Sequence, residues 1–353
     1  MKILGIESTA HTFGVGVYDS KNNRLLANEK AYYKTPPGEG IVPRKAAEHH
    51  AKNAGQTISA ALKKAKIKIS QIDAIAYSAG PGLGPCLQTG ATVASFLAQK
   101  YGLPLVPVNH AQAHIEVGKW QCKFKNPLIL YVSGGNTQII IEGKRWAGAA
   151  KKGVKEDGKN GGVKDEGVQK SGEFLVLGET LDIGVGNLFD SFARELGYEF
   201  AHGGTLAKKA QEAKKFYLMP YTVKGMNFAF SGLFTYAKRQ IGKIGEAELC
   251  DSFMKTAFCE LCEAAERALM LTGRKEVLVC GGVAQNKQMM KMMETMAKAH
   301  GARAGTCENG YNADNGAMIA LLGARLLKER KAIPAEGAWI GQRWRVDGDG
   351  VEG

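Results

Sequence analysis

The chain has 353 residues, 44% of them apolar, which is enough for a packed core in two domains. No apolar run approaches the ~18 residues of a membrane span, and Glu7 follows Lys2 too closely for a secretory leader, which argues against membrane-spanning and secreted classes. The net charge of +13 suits a polyanionic partner, with a plain solubility trait as the alternative, and seven scattered cysteines fit reduced thiols in a cytosol.

The chain opens with a strand over Lys2–Ile6, a polar turn from Glu7 to Thr12 that contains His11, and a second strand over Phe13–Tyr18. A third strand follows at Leu25–Lys30, and Pro36, Pro37, Gly38 and Gly40 mark a loop. Pro43–Lys66 reads as a long helix carrying Glu48, His49 and His50. Adjacent helical residues point about 100° apart, so the two histidines cannot chelate together. Ile72–Tyr77 reads as a strand, Ser78–Pro85 as a stiff Gly/Pro loop and Leu87–Tyr101 as a helix.

Val106–Ile141 concentrates the chemistry. His110 and His114 stand four apart in a run without Gly or Pro, and i,i+4 residues share a helix face at roughly 5–6 Å, so both rings can reach one metal ion. Helix capping, or half-buried hydrogen-bonded rings, is the competing reading. Ala111 stands where a zincin has its Glu, so a zincin peptidase is excluded. The apolar run Leu128–Val132 then breaks into Ser133-Gly134-Gly135-Asn136-Thr137 and resumes through Ile141. Glycine amides at such a tip can meet an anion, and the same residues also make ordinary hairpins.

Residues 146–173 are rich in Gly and Lys and lack apolar periodicity, as expected of a disordered surface insertion. The stretch from Gly143 to Glu173 adds only +3, leaving most of the charge on the folded body. Asp182–Leu196 reads as a helix carrying Asp190. Cys259 and Cys262 lie in an amphipathic run, Ser252–Leu271, as core or boundary residues. Glu276–Cys280 runs as a strand into Gly281–Asn286 and then a helix-like run to Lys298. Asp314 precedes the helix Ala317–Leu327, where by itself it reads as an N-cap.

Two strand-turn-strand units and a Gly-Gly strand-to-helix junction predict a duplicated α/β core that clasps a nucleotide. This is the two-lobe actin, Hsp70 and sugar-kinase layout. The expected lobes are 1–107 and 108–321.

The stretches GIESTAHTFGVGV, GIVPRKAAEHH, SAGPGLGPCLQTG, PVNHAQAHIE, LYVSGGNTQ, GETLDIGVGNLFDSFARELG, MPYTVKGMNFAFSGL, CGGVAQNK and ADNGAMIA run in order from Met1 to about Leu327. Together they resemble the archaeal and eukaryotic branch of the tRNA threonylcarbamoyladenosine transferases, the catalytic subunit of the KEOPS complex, once labelled O-sialoglycoprotein endopeptidase. The resemblance implies transfer of threonylcarbamoyl from threonylcarbamoyl-AMP to the exocyclic amine of the adenosine 3′ of the anticodon in tRNAs reading ANN codons. It implies one Fe(II) per subunit, with Zn(II) or Mg(II) as alternatives, on His110, His114 and Asp314 with Tyr131 nearby. It also implies threonylcarbamoyl-AMP or ATP in the cleft, held by Tyr131, Val132, Ser133, Gly134, Gly135 and Asn136, with Asp190 on the ribose and Gly204 and Asn286 close by. The resemblance further implies that 322–347 packs back on the first lobe. Glu7 and His11 are candidates for catalysis. Implied partners are tRNA, a small kinase subunit and further small KEOPS subunits in the cytoplasm. The insertion could serve as a basic arm on tRNA.

The sequence departs from the family pattern at His202 and Thr205 in place of two prolines, at Lys208 in place of a Glu, and at Asn227 and Ala229 in place of Asp and Ser. A metallopeptidase of the sialoglycoprotease type and an ATP-binding regulatory scaffold remain as alternatives.

Overall fold

The computed structural model describes residues 1–35, 40–143 and 173–348. The loop at Pro36–Gly38 and the insertion from 146 to 172 lie outside the described residues.

Strands β1 (Lys2–Glu7), β2 (Thr12–Asp19) and β3 (Arg24–Tyr32) form an antiparallel meander, followed by α1 (Pro43–Ala65), β4 (Ala74–Gly80), α2 (Gly84–Tyr101) and β5 (Leu105–Asn109). β4 and β5 add in parallel, giving the order β3-β2-β1-β4-β5. β4 runs further than expected: Ser78 pairs with Val108 and Gly80 with Asn109, so the first residues of the Gly/Pro loop are sheet. α2 begins earlier than Leu87 because Pro85 sits in its first turn, where a missing N–H costs nothing.

The chain then forms α3 (His110–Cys122), β6 (Leu128–Val132), β7 (Thr137–Glu142), β8 (Phe174–Glu179), α4 (Val185–Glu195) and α5 (Gly203–Ala210). The two-residue strands β9 (Val223–Lys224) and β10 (Asn227–Phe228) precede α6 (Phe230–Arg239) and α7 (Glu246–Thr272). Next come β11 (Glu276–Cys280), α8 (Lys287–Ala299), β12 (Arg303–Thr306), α9 (Asn309–Asn312) and α10 (Gly316–Lys328). The second sheet has the order β12-β11-β6-β7-β8, which repeats the first strand for strand. The duplication predicted from the two strand-turn-strand units is therefore present, and it places the β1–β2 turn and the β6–β7 turn at equivalent positions of the two lobes. α4 starts at Val185 rather than Asp182, whose carboxylate instead accepts from the Ile183 and Ser231 amides.

Helices α3 and α10 lie between the sheets. Ala113 and Val117 of α3 join Met318, Ile319 and Leu322 of α10 in a core against the first sheet. Ala111 and Ile115, on the opposite face of α3, pack with Ile129, Tyr131 and Leu278 of the second sheet. Buried side chains of this size contribute about 1.5–3 kcal/mol each. α10 can approach β1 and β2 because the facing positions are glycine: a Cβ on Gly5 would meet the Ala320 amide nitrogen at 2.2 Å, and one on Gly16 would meet that of Ala317 at 2.2 Å. The return to the first lobe thus begins at Gly316, six residues before the expected boundary. Further on, Ile333 bridges to Leu105, and Trp339, Ile340 and Trp344 pack on the first lobe's core. No helix among the described residues is long and apolar enough to cross a membrane.

Candidate active site

A cleft of about 1660 Å³ opens between the lobes. Its walls come from both equivalent turns, the start of α3, the Pro81–Leu83 loop, α4, the segment before α10 and the tail after Ile340.

At its base, Asn109 caps α3 by accepting from the amides of Ala111 (3.0 Å) and Gln112 (3.1 Å), which makes His110 the first helical residue. The His110 and His114 rings stand 4.7 Å apart at 84°. Asp314 completes the group: its Oδ1 is 3.5 Å from Nε2 of His110 and 3.5 Å from Nε2 of His114. All three donor atoms lie within 4.8 Å of one another. Asp314 reaches them because Asn315, not Asp314, caps α10 through the Met318 amide, so the N-cap reading of Asp314 is overturned.

Glu7 sets the orientation of the first histidine. It is fully buried, outside the cleft wall, and accepts from the Thr9 amide (2.7 Å), from the Thr9 hydroxyl and from Nδ1 of His110 (2.9 Å). Its carboxylate lies behind His110 and holds that ring through Nδ1, with Nε2 turned toward Asp314, the geometry of a positioning residue. Burial opposes charge on His110, but the carboxylates of Glu7 and Asp314 outweigh it and lift the ring to about 9. Burial likewise depresses His114, and it works against the Asp314 carboxylate, whose hydrogen bond to His114 and nearby His110 nevertheless hold it far below the usual range. The metal donor set fits: two imidazoles and a carboxylate with positions left open, and a carboxylate behind one imidazole, suit Zn(II) or Fe(II). The ring of Tyr131 lies 5.8 Å from that of His114, and burial pushes its phenol well up, so it stays protonated.

The glycine turn stands next to this group. Its shape is held from below by α4: the amides of Gly186 and Asn187 donate to the carbonyls of Ser133 (3.1 Å) and Gly134 (2.8 Å), and the Val185 amide donates to the Thr137 hydroxyl (2.8 Å). Within the turn, the Asn136 amide donates to the Ser133 hydroxyl at 3.1 Å. The amides of Gly134 and Gly135 have no protein acceptor among the described residues, and both residues face the cleft. The Val132 side chain is buried in the second lobe's core and does not line the cleft.

Asp190 projects from α4 into the cleft; the Gly203 amide donates to its Oδ1 at 3.0 Å, and burial raises its carboxyl. Gly204 does not line the cleft, because its amide is turned to Nδ1 of His202 at 3.1 Å. Asn286 is also off the wall: its side chain caps α8 through the Met289 amide at 3.1 Å, and the neighbouring Gln285 and Gly282 face the cleft instead. His11 is exposed on the wall, stacked on Tyr32 with ring centroids 6.2 Å apart. Lys208 is exposed on α5. Cys259 and Cys262 are free thiols on α7, and the only potential metal group of three or more His, Cys, Asp or Glu among the described residues is the one at the base of the cleft. Sequence reasoning missed Glu179 and Asn187, although both lie inside a recognised stretch, and missed the tail wall from Ile340 to Gly348, for which no motif gave a signal.

These features define a two-lobed α/β protein of the actin, Hsp70 and sugar-kinase class with a metal-capable triad beside an anion-ready turn. The same fold is seen in the crystal structure of HypF from T. kodakarensis, at a TM-score of 0.59 and 14% identity over 93% of this chain and 48% of that one. Proteins named tRNA N6-adenosine threonylcarbamoyltransferase are similar along nearly the whole length: 44% identical in Staphylothermus marinus, over 98% of this chain and 97% of the relative, and 43% in Caldivirga maquilingensis, over 98% and 96%. The model of the TsaD family, tRNA N6-adenosine threonylcarbamoyltransferase, matches residues 24–151 and 161–321, and the chain belongs to that family.

Proposed function

We propose that this chain transfers threonylcarbamoyl from threonylcarbamoyl-AMP to N6 of the adenosine 3′ of the anticodon in tRNA, as a metal-dependent subunit of a KEOPS-type complex in the cytoplasm. The observation that carries the reading is the meeting of His110, His114 and Asp314 with the Ser133–Asn136 turn in one cleft. The relatives' shared name supports the transferase reading over a peptidase or a regulatory scaffold.

In this reading the Gly134 and Gly135 amides face the adenylate phosphate, and Asp190 accepts from the ribose hydroxyls with its second oxygen. His110, His114 and Asp314 would hold one metal ion, Fe(II) first and Zn(II) or Mg(II) as alternatives, and such an ion would supply Lewis-acid polarisation to the threonylcarbamoyl group. N6 attacks the carbamoyl carbon, the bond from that carbon to the phosphate oxygen breaks, AMP leaves with the electron pair, and N6 gives up one proton. The anhydride is already activated, so holding the two reactants in line contributes most, on the order of 7–11 kcal/mol. With Glu7 withdrawn behind His110, His11 is the titratable side chain on the wall nearest the first turn that can receive the proton. A small kinase subunit and other small subunits complete the complex.

The test is a reconstituted assay of labelled threonine incorporation into tRNA. Replacing both His110 and His114 by Ala should abolish transfer; full activity of metal-free protein would overturn the assignment.

A further inference from the structure

The tail after Ile340 forms a cleft wall that the proposed chemistry does not use. Its backbone is pinned to the first lobe: the Gly341 amide donates to the Ala79 carbonyl (2.8 Å), and the Gly82 amide donates to that of Gln342 (3.1 Å). Asn109, the cap of the histidine helix, donates through Nδ2 to the carbonyls of Trp344 (3.3 Å) and Arg345 (3.2 Å).

Three consecutive side chains, Arg343, Trp344 and Arg345, stand on this fixed backbone. Trp344 anchors it, with its ring 5.0 Å from that of Trp339 and its Nε1 donating to the Gly348 carbonyl at 3.0 Å. Arg345 ties the tail to the other lobe, reaching Glu179 at 3.2 Å and Asp347 at 2.9 Å. Arg343 is exposed on the cleft wall and makes no hydrogen bond or ion pair among the described residues. The cleft's own acids are engaged elsewhere: Glu179 by Arg345 and Gln138, Asp190 by the Gly203 amide, and Asp314 by the two histidines. None of the cleft-lining carboxylates among the described residues pairs with Arg343, which leaves its guanidinium open to an anion entering the cleft.

A guanidinium fork matches phosphate oxygens. The inner phosphate already has the amides of the glycine turn, whereas Arg343 stands on the exposed rim. We propose that Arg343 binds a backbone phosphate of the RNA substrate and so sets the register in which the target adenosine enters the cleft. Such contacts position a nucleic acid without reading its sequence. The inference rests on the transfer reading.

The experiment is equilibrium binding of unmodified tRNA to the full complex over a series of salt concentrations, for wild type, Arg343→Ala and Arg343→Lys. Arg343→Ala should weaken binding and lower the slope of log K against log salt by about 1, and Arg343→Lys should restore the slope. Affinity for threonylcarbamoyl-AMP should match wild type, and the KM for tRNA should rise. A wild-type slope in Arg343→Ala overturns the proposal, as does a loss of threonylcarbamoyl-AMP affinity with tRNA binding intact. Failure of the wild-type complex to modify tRNA would count against the transfer reading itself, separately from the slope.

Discussion

Glu7, at the end of β1, lies 2.9 Å from Nδ1 of His110, at the start of α3, across 103 positions of sequence. This contact leaves Nε2 of His110 to face Asp314 and His114. A carboxylate behind a metal-binding histidine typically governs affinity by 10–100-fold. Glu7→Gln should lower metal affinity by about that factor, measured by competition with a chromogenic chelator, while the fold is kept. Unchanged affinity would show that His110 needs no orienting partner.

The glycine face of β2 makes the second prediction. A Cβ at position 16 collides with the backbone of α10 rather than with a movable side chain. Gly16→Ala should cost about 1–3 kcal/mol in denaturant unfolding, the usual range for overpacking. Because Asp314 sits two residues before α10, the same variant should also bind metal more weakly. A variant as stable as wild type would mean that α10 can shift freely.

His50 gives a pH prediction. Nε2 donates to the Ala10 carbonyl at 2.9 Å, while its buried Nδ1 has no partner among the described residues. Burial pushes the ring down to about 4, so the folded chain keeps it neutral. The unfolded chain protonates it near 6.5, so this contribution to stability is complete above that value. As pH falls from about 6.5 to 4, stability should drop by up to about 1.4 kcal/mol per unit and then level off for this group. His50→Gln should flatten that part of the curve of unfolding free energy against pH. An unaltered slope in the variant would place the acid sensitivity elsewhere. Because Ala10 lines the cleft, the variant should also loosen the first turn.

Gly186 makes a fourth. A Cβ there would lie 2.6 Å from the Ser133 carbonyl oxygen, against the turn that α4 supports. Gly186→Ala should push the turn outward and weaken threonylcarbamoyl-AMP binding by about tenfold or more, equivalent to about 1.4 kcal/mol, as read by calorimetry. Wild-type affinity would mean that the turn does not hold the phosphate.

What could be read from the residues alone was mostly local. The histidine pair needed only helical spacing, and the hairpins needed only apolar runs broken by Gly and Asn, so both elements appear within a few residues of their expected bounds. Gly204 and Asn286 are held by local contacts that no motif displays: the Gly204 amide donates to His202, and Oδ1 of Asn286 accepts from the Met289 amide. Glu7 illustrates the remaining difficulty. A lone carboxylate in a turn looks available for proton transfer until the fold sets an imidazole against it. Asp314 could be tied to the histidines only through the family resemblance, since two hundred positions separate it from His114, and the tail's place on the cleft wall left no trace in composition or pattern.

The packing of α3 on α10 carries a mechanical implication. His110 and His114 ride on one of these helices and Asp314 on the approach to the other, while the glycine bend belongs to the second sheet alone. Movement of that bend would then change its span to the triad but leave the triad itself undisturbed. In the transfer reading proposed above, the adenylate is then admitted and released while the metal-capable triad stays together.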